Sequence, residues 1–299
     1  MKDIIIIGAG PAGLTAAIYA LRSGKSVLLI EAKSYGGQII NAAKIDNYPG
    51  LPNISGFEFA QKLYEQATSF GAEIVYETAV SVEDNGKTKL VRTKSGEHEA
   101  KAVILATGAR NKPMGLSRED KLLGKGVSYC ATCDGMFFRK KEVAVFGGGR
   151  IAVEDALFLS DYCSKVYVIH SQMRFGAAPS DVEKLKAREN VEFVLESNVT
   201  ALLGEEKLTG IEVTNKKDGS KRKINISGLF VAIGQMPDNG AFANMVELDE
   251  KGYIAAGESC LTKTNGIYAA GDCRTKEVRQ LTTAAADGAV AALAACSRI

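Results

Sequence analysis

The chain is poor in the residues that build metal centres and proton relays. Only two histidines occur among its 299 residues, His98 and His170. Of six cysteines only Cys130 and Cys133 are paired in sequence. A zinc site needs about four ligands, and no second C-x-x-C is present to supply them. No basic run accompanies the formal net charge of +2, so nucleic acid is not an expected partner. No stretch nears the roughly 18 apolar residues of a membrane span, and the isoleucine run after Asp3 is too short for a signal-peptide core. These absences predict a cytoplasmic chain with no membrane partner and no metal. Structural disulfides are rare in that compartment, so Cys163, Cys260, Cys273 and Cys296 read as small buried hydrophobes.

What is present is one unit, written twice. "DIIIIGAGPAGLTAAIYALRSGKSVLLIEA" and "EVAVFGGGRIAVEDALFLSDYCSKVYVIHS" share one plan: an apolar β-branched run, a glycine turn, an amphipathic helix and a second β-branched run. Gly8, Gly10 and Gly13 match G-x-G-x-x-G; Gly147, Gly149 and Ala152 match G-x-G-x-x-A. The first glycine permits a tight turn, the second lets backbone approach a pyrophosphate, and the third small residue lets helix and strand pack closely. The helix N-terminus then faces the anion. The same interval separates Gly8 from Glu31 and Gly147 from His170. Glu31 is an acid placed for ribose hydroxyls; His170 is not.

Each copy ends in a buried strand, "AVILATGAR" and "LFVAIGQMPD", and "NGIYAAGDCR" leads into an alanine-rich helix. The predicted fold is α/β, with two three-layer, Rossmann-like dinucleotide-binding domains on parallel sheets, the second inserted into the first. The first takes residues 1–112 and 240–299, the inserted one 113–239.

Between the copies lies "CATCDG". C-x-x-C in a cytosolic chain suggests thiol redox chemistry: a thiolate attacks a disulfide sulfur, and the neighbouring thiol resolves the mixed disulfide. Asp134 is an acid adjacent to the pair, suited to the accompanying proton, or a turn residue before Gly135.

With these residues on the page, the sequence resembles the low-molecular-weight thioredoxin reductases over nearly its whole length. The matching segments are "GAGPAGLTAAIYALRSG", "GGQIINAAKIDNYPG", "ILATGAR", "CATCDGMFF", "VFGGGRIAVEDALFL", "VAIGQMPD" and "AAGDCR…RQLTTAAADG". The resemblance implies a homodimeric flavoprotein that reduces thioredoxin. FAD contacts then fall on Gly8, Gly10, Pro11, Ala12 and Gly13 at the pyrophosphate and on Glu31 at the ribose. Gly37, Gln38 and Asn47 line the flavin side. Ala106, Thr107, Gly108, Gly271, Asp272, Arg279, Gln280 and Leu281 complete the site. Cys133 would face the flavin, Cys130 would attack thioredoxin, and Asp134 matches the proton donor.

The sequence also departs from the pattern. Relatives that use NADPH have two arginines directly after the histidine matching His170 and another four residues on, where this chain has Ser171, Gln172 and Gly176. An arginine fork grips a ribose phosphate bidentately; Arg174 is out of register. Arg150-Ile151 replaces a small polar pair, and Pro179 argues for a changed loop. The second copy thus lacks both the acid that favours NAD and the arginines that favour NADP. This predicts the pyridine-nucleotide-independent branch, with reduced ferredoxin as donor. Altered NADH or NADPH recognition is the alternative; a non-catalytic flavin redox sensor is the reading of another class, against which the intact C-A-T-C-D-G argues.

Overall fold

A computed structural model describes residues 1–42 and 44–299, apart from the side chain of Asn41. The chain divides into two compact units, Met1–Arg110 with Met236–Ile299, and Asn111–Gln235.

The first unit is organised by a seven-stranded sheet. Its parallel part runs Glu73–Tyr76, Val27–Glu31, Lys2–Ile7, Glu97–Leu105, Ile267–Ala269. Ala79–Asp84 and Lys89–Thr93 add an antiparallel meander on the first half of Glu97–Leu105. Consecutive β-branched residues suit a strand buried on both faces, and alternate side chains divide between them. Ile4, Ile6, Leu29 and Ile104 join one core cluster, while Ile5, Ile7, Leu28, Ile30, Val103 and Leu105 join another on the opposite face.

Two helices cover much of the first of those faces, with Ala67 of helix Gly56–Ser69 beside them. Pro11–Arg22 begins with proline in its first turn, where the missing N–H costs nothing. It packs on Leu281–Cys296, which buries Ala284, Gly288, Ala291, Ala292 and Ala295. Small residues are required there: a Cβ on Gly288 would run into the Ala12 carbonyl. The alanine-rich run of the sequence is therefore a close helix–helix contact above the first glycine turn.

The second unit repeats the design with a five-stranded parallel sheet, ordered Val191–Val194, Lys165–Ile169, Glu142–Phe146, Gly228–Val231, Val127–Ser128. Helix Arg150–Ser160 packs Ala152, Val153, Ala156 and Leu159 on one face. A three-stranded antiparallel layer, Ser197–Leu203, Gly210–Asn215 and Lys221–Asn225, covers the other. The fold is thus α/β with two Rossmann-like, parallel-sheet domains, as the duplicated pattern predicts. Pro179 opens helix Pro179–Lys186 at its first turn, a position its fixed φ favours. Among the described residues no helix is long and apolar enough to cross a membrane.

Candidate active site

The first unit holds a glycine-lined cradle. Gly8 has φ +109°, and a Cβ there would strike the Ala106 carbonyl, so only glycine lets the strand turn so tightly into helix Pro11–Arg22. Gly10 caps that helix in extended geometry without any side-chain cap. The first-turn N–H groups thus remain for an anion. Across from it a Cβ on Gly37 would lie 3.2 Å from the Gly10 Cα, so two backbones meet there with no side chain between them. Ala12 and Gly13 are buried behind the turn.

Glu31 ends its strand beside this turn. Its Oε2 accepts the Ala9 N–H at 2.9 Å and its Oε1 accepts the Lys33 N–H at 2.9 Å. Gln38 donates its side-chain amide to the Ala109 carbonyl, and Asn47 lies 3.3 Å from Gln280 Oε1. Thr107 donates to Asn239 Oδ1 at 2.7 Å, and Gly108 has open space beside it.

Asp272 is the outlier of this cradle. Burial pushes its carboxyl above the usual range, with Lys276 and Arg279 pulling it back, and its buried Oδ1 has no hydrogen-bond partner among the described residues. A buried unsatisfied oxygen is costly, and one carried by the residue after Gly271, which itself lies against Ala12 of the glycine turn, fits a polar ligand group that completes it. Arg279 stacks over the Tyr253 ring at 4.0 Å and donates to the Asp272 carbonyl at 3.3 Å. Gln280 caps helix Leu281–Cys296 in a reciprocal capping box with Thr283. An uncapped helix start, a backbone-only wall, a fixed acid and an orphaned carboxylate suit the pyrophosphate, ribose and polar ring edge of FAD.

Asp287 was not singled out in the sequence, yet it underlies this region. It accepts the Gly271 N–H at 2.9 Å, both Nε and Nη2 of Arg274 at 2.8 and 2.7 Å, and Lys276 Nζ at 3.0 Å. Asn239 was missed too; it donates to the Gly252 and Cys273 carbonyls at 2.9 and 3.0 Å. A lone acid inside an alanine-rich helix was the one available hint.

In the second unit Cys130 and Cys133 form a disulfide, with 5.3 Å between their Cα atoms. The one-turn helix Ala131–Asp134 carries it. Burial pushes the Asp134 carboxyl upward, and Ser128 Oγ, donating to Asp134 Oδ2 at 2.6 Å, pulls it back. Glu119 anchors the same region: it accepts the N–H groups of Met114, Gly115 and Leu116 and the Tyr129 hydroxyl. Among the other cysteines Cys163, Cys260 and Cys273 are buried, whereas Cys296 is half-buried.

The second glycine turn differs from the first at its reading corner. The His170 ring packs directly on Gly148, where a Cβ would overlap it. Its Nε2 pairs with the Arg174 carbonyl at 3.1 Å, and its ring stacks on Phe175 at 5.3 Å. Arg150 turns to Glu154 at 2.8 Å, and Ile151 is exposed.

Comparison with known proteins agrees with this geometry. Residues 2–288 match the family described as pyridine nucleotide-disulphide oxidoreductase. Thioredoxin reductase of Treponema pallidum is 41% identical over 298 residues, covering 99% of this chain and 97% of that one. Its counterpart from Listeria monocytogenes is 40% identical over 290 residues, covering 97% and 91%. The crystal structure of thioredoxin reductase from Streptococcus pyogenes superposes with a TM-score of 0.93 at 40% identity, covering 99% and 97%. The chain belongs to the pyridine nucleotide-disulphide oxidoreductases and, within them, to the FAD-binding thioredoxin reductase family.

Proposed function

We propose that this chain is a cytoplasmic, homodimeric thioredoxin-disulfide reductase whose electrons come from reduced ferredoxin and not from NADH or NADPH. FAD, when bound, supplies the electron chemistry, and the protein supplies position and electrostatics. Gly8, Gly10, Pro11, Ala12 and Gly13 hold its pyrophosphate and Glu31 its ribose. Gly37, Gln38, Asn47, Ala106, Thr107, Gly108, Gly271, Asp272, Arg279, Gln280 and Leu281 enclose the remainder.

In the reduced pair, the Cys130 thiolate attacks the thioredoxin disulfide and Cys133 resolves the mixed disulfide. Two electrons and two protons pass to thioredoxin, and the Cys130–Cys133 bond re-forms. Asp134 carries one of those protons.

The observation that carries the donor half is His170. At the corner where Glu31 presents a carboxylate, the second copy presents an imidazole already bonded to the Arg174 carbonyl. Neither a ribose hydroxyl nor a ribose phosphate gains a charged partner there. Each missing charge-assisted bond is worth about 1.5–3 kcal/mol, which is about 10- to 150-fold in affinity. Anaerobic mixing of the oxidised holoenzyme with reduced ferredoxin should bleach the flavin, and NADPH or NADH should leave it yellow. Rapid bleaching by either coenzyme at micromolar concentration would overturn the donor assignment.

A further inference from the structure

Ser128 lies at the end of strand Val127–Ser128, pinned opposite Phe230 and buried. Its hydroxyl oxygen meets three groups. It accepts the Cys130 N–H at 3.0 Å; it is 2.6 Å from Asp134 Oδ2 and 3.3 Å from the Cys130 carbonyl. A hydroxyl has one hydrogen and two lone pairs, so it cannot donate to the carboxylate and the carbonyl together.

Two arrangements satisfy every group. With Asp134 ionised, Ser128 donates to Oδ2. With Asp134 protonated, the carboxyl O–H donates to Ser128 Oγ, and the hydroxyl hydrogen swings to the Cys130 carbonyl. The Cys130 N–H stays bonded in both. The next residue is tethered as well, because the Tyr129 hydroxyl is held by Glu119, itself fixed by three backbone N–H groups of residues 114–116. The hydroxyl therefore changes partners without moving the chain.

We propose that Ser128 is a positioning residue of the redox centre: it keeps the Asp134 carboxyl bonded in both protonation states and sets the pH range over which that proton is available. The inference rests on the reading of Asp134 as the proton carrier. In the step itself Asp134 loses one proton to a thiolate and that sulfur becomes a thiol; no electron moves, and the Ser128 hydrogen only rotates. Removing the hydroxyl costs both forms a bond, but the bond to the ionised carboxylate is the stronger of the two, so the acid form persists to higher pH.

The test uses dithionite-reduced holoenzyme mixed with oxidised thioredoxin in single turnovers across pH, which needs no particular donor. In the parent the rate should fall as pH rises through the Asp134 transition. Ser128→Ala should move that limb upward by about one pH unit, the scale expected for losing a bond to a charged group. Ser128→Thr should restore it, and Ser128→Gly should read the same shift in a second side-chain context. On an Asp134→Asn background, which abolishes the limb, Ser128→Ala should be silent. A Ser128→Ala or Ser128→Gly profile that superimposes on the parent, with Asp134→Asn abolishing the limb, overturns the role of Ser128 alone. A limb that survives Asp134→Asn overturns the proton-carrier reading and this inference with it.

Discussion

Replacing Asp287 with asparagine removes one negative charge from a buried site holding two cations. The Arg274 side chain is 3% exposed and that of Asp287 9%. Both guanidinium nitrogens that reach Asp287, and Lys276 Nζ, lie within 3.0 Å of its oxygens. The other acid near Arg274, Glu258, is 3.8 Å away and almost fully exposed, so solvent screens it and it cannot substitute. Breaking a buried pair by neutralising one partner costs about 3–5 kcal/mol, because the surviving charge is left unpaired. That is a large part of a typical 5–15 kcal/mol stability. At about 2–4 °C per kcal/mol for a domain of this size, the melting temperature of D287N should fall by about 6–20 °C. Thermal unfolding of the holoenzyme, followed by circular dichroism at fixed FAD, measures it. The combined change Asp287→Leu, Arg274→Met and Lys276→Met should recover much of the loss, since a well-packed apolar replacement of a buried ion cluster is often neutral. A D287N protein that melts with the parent would refute the reasoning.

Further expectations concern acid stability and the site. Burial opposes ionisation of Asp287, but its bonds to Arg274 and Lys276 hold the carboxyl below its ordinary value. A depressed folded-state pKa adds stability above the unfolded-state value of about 4 and loses it as pH falls through the folded value. The melting temperature should thus drop on acidification below about pH 5, less steeply in D287N; parallel curves would count against the ion cluster. Cys133→Ser should accumulate a mixed disulfide between Cys130 and thioredoxin, visible on a non-reducing gel, whereas trapping by Cys130→Ser instead would exchange the two roles. Glu31→Gln weakens a charge-assisted grip and should lower FAD affinity about 10- to 100-fold in equilibrium titrations, and unchanged affinity would remove Glu31 from the cradle.

Much of this molecule is legible in its amino-acid sequence. The glycine turns could be placed because their spacing serves backbone geometry, and the isoleucine run because a strand buried on both faces must be apolar throughout. Residues whose importance arises from three-dimensional convergence were silent. Asp287 collects donors from positions 271, 274 and 276, and Glu119 collects them from residue 114 on one side of it in the chain and residue 129 on the other. Ser128 carried no signal in the sequence because its partner, Asp134, returns to it only through the short helix carrying the cysteines. Pro179 marks a chain break in the sequence, and the structure places it as the first residue of the helix that follows.

The donor assignment is tested most directly by complete turnover. Oxidised thioredoxin, the holoenzyme and a thiol reagent are combined without air, and thioredoxin thiols are counted after adding either reduced ferredoxin or NADPH. Stoichiometric thiols with ferredoxin alone, at two per two electrons delivered, is the predicted result. Thiols formed with NADPH at comparable rate would contradict it.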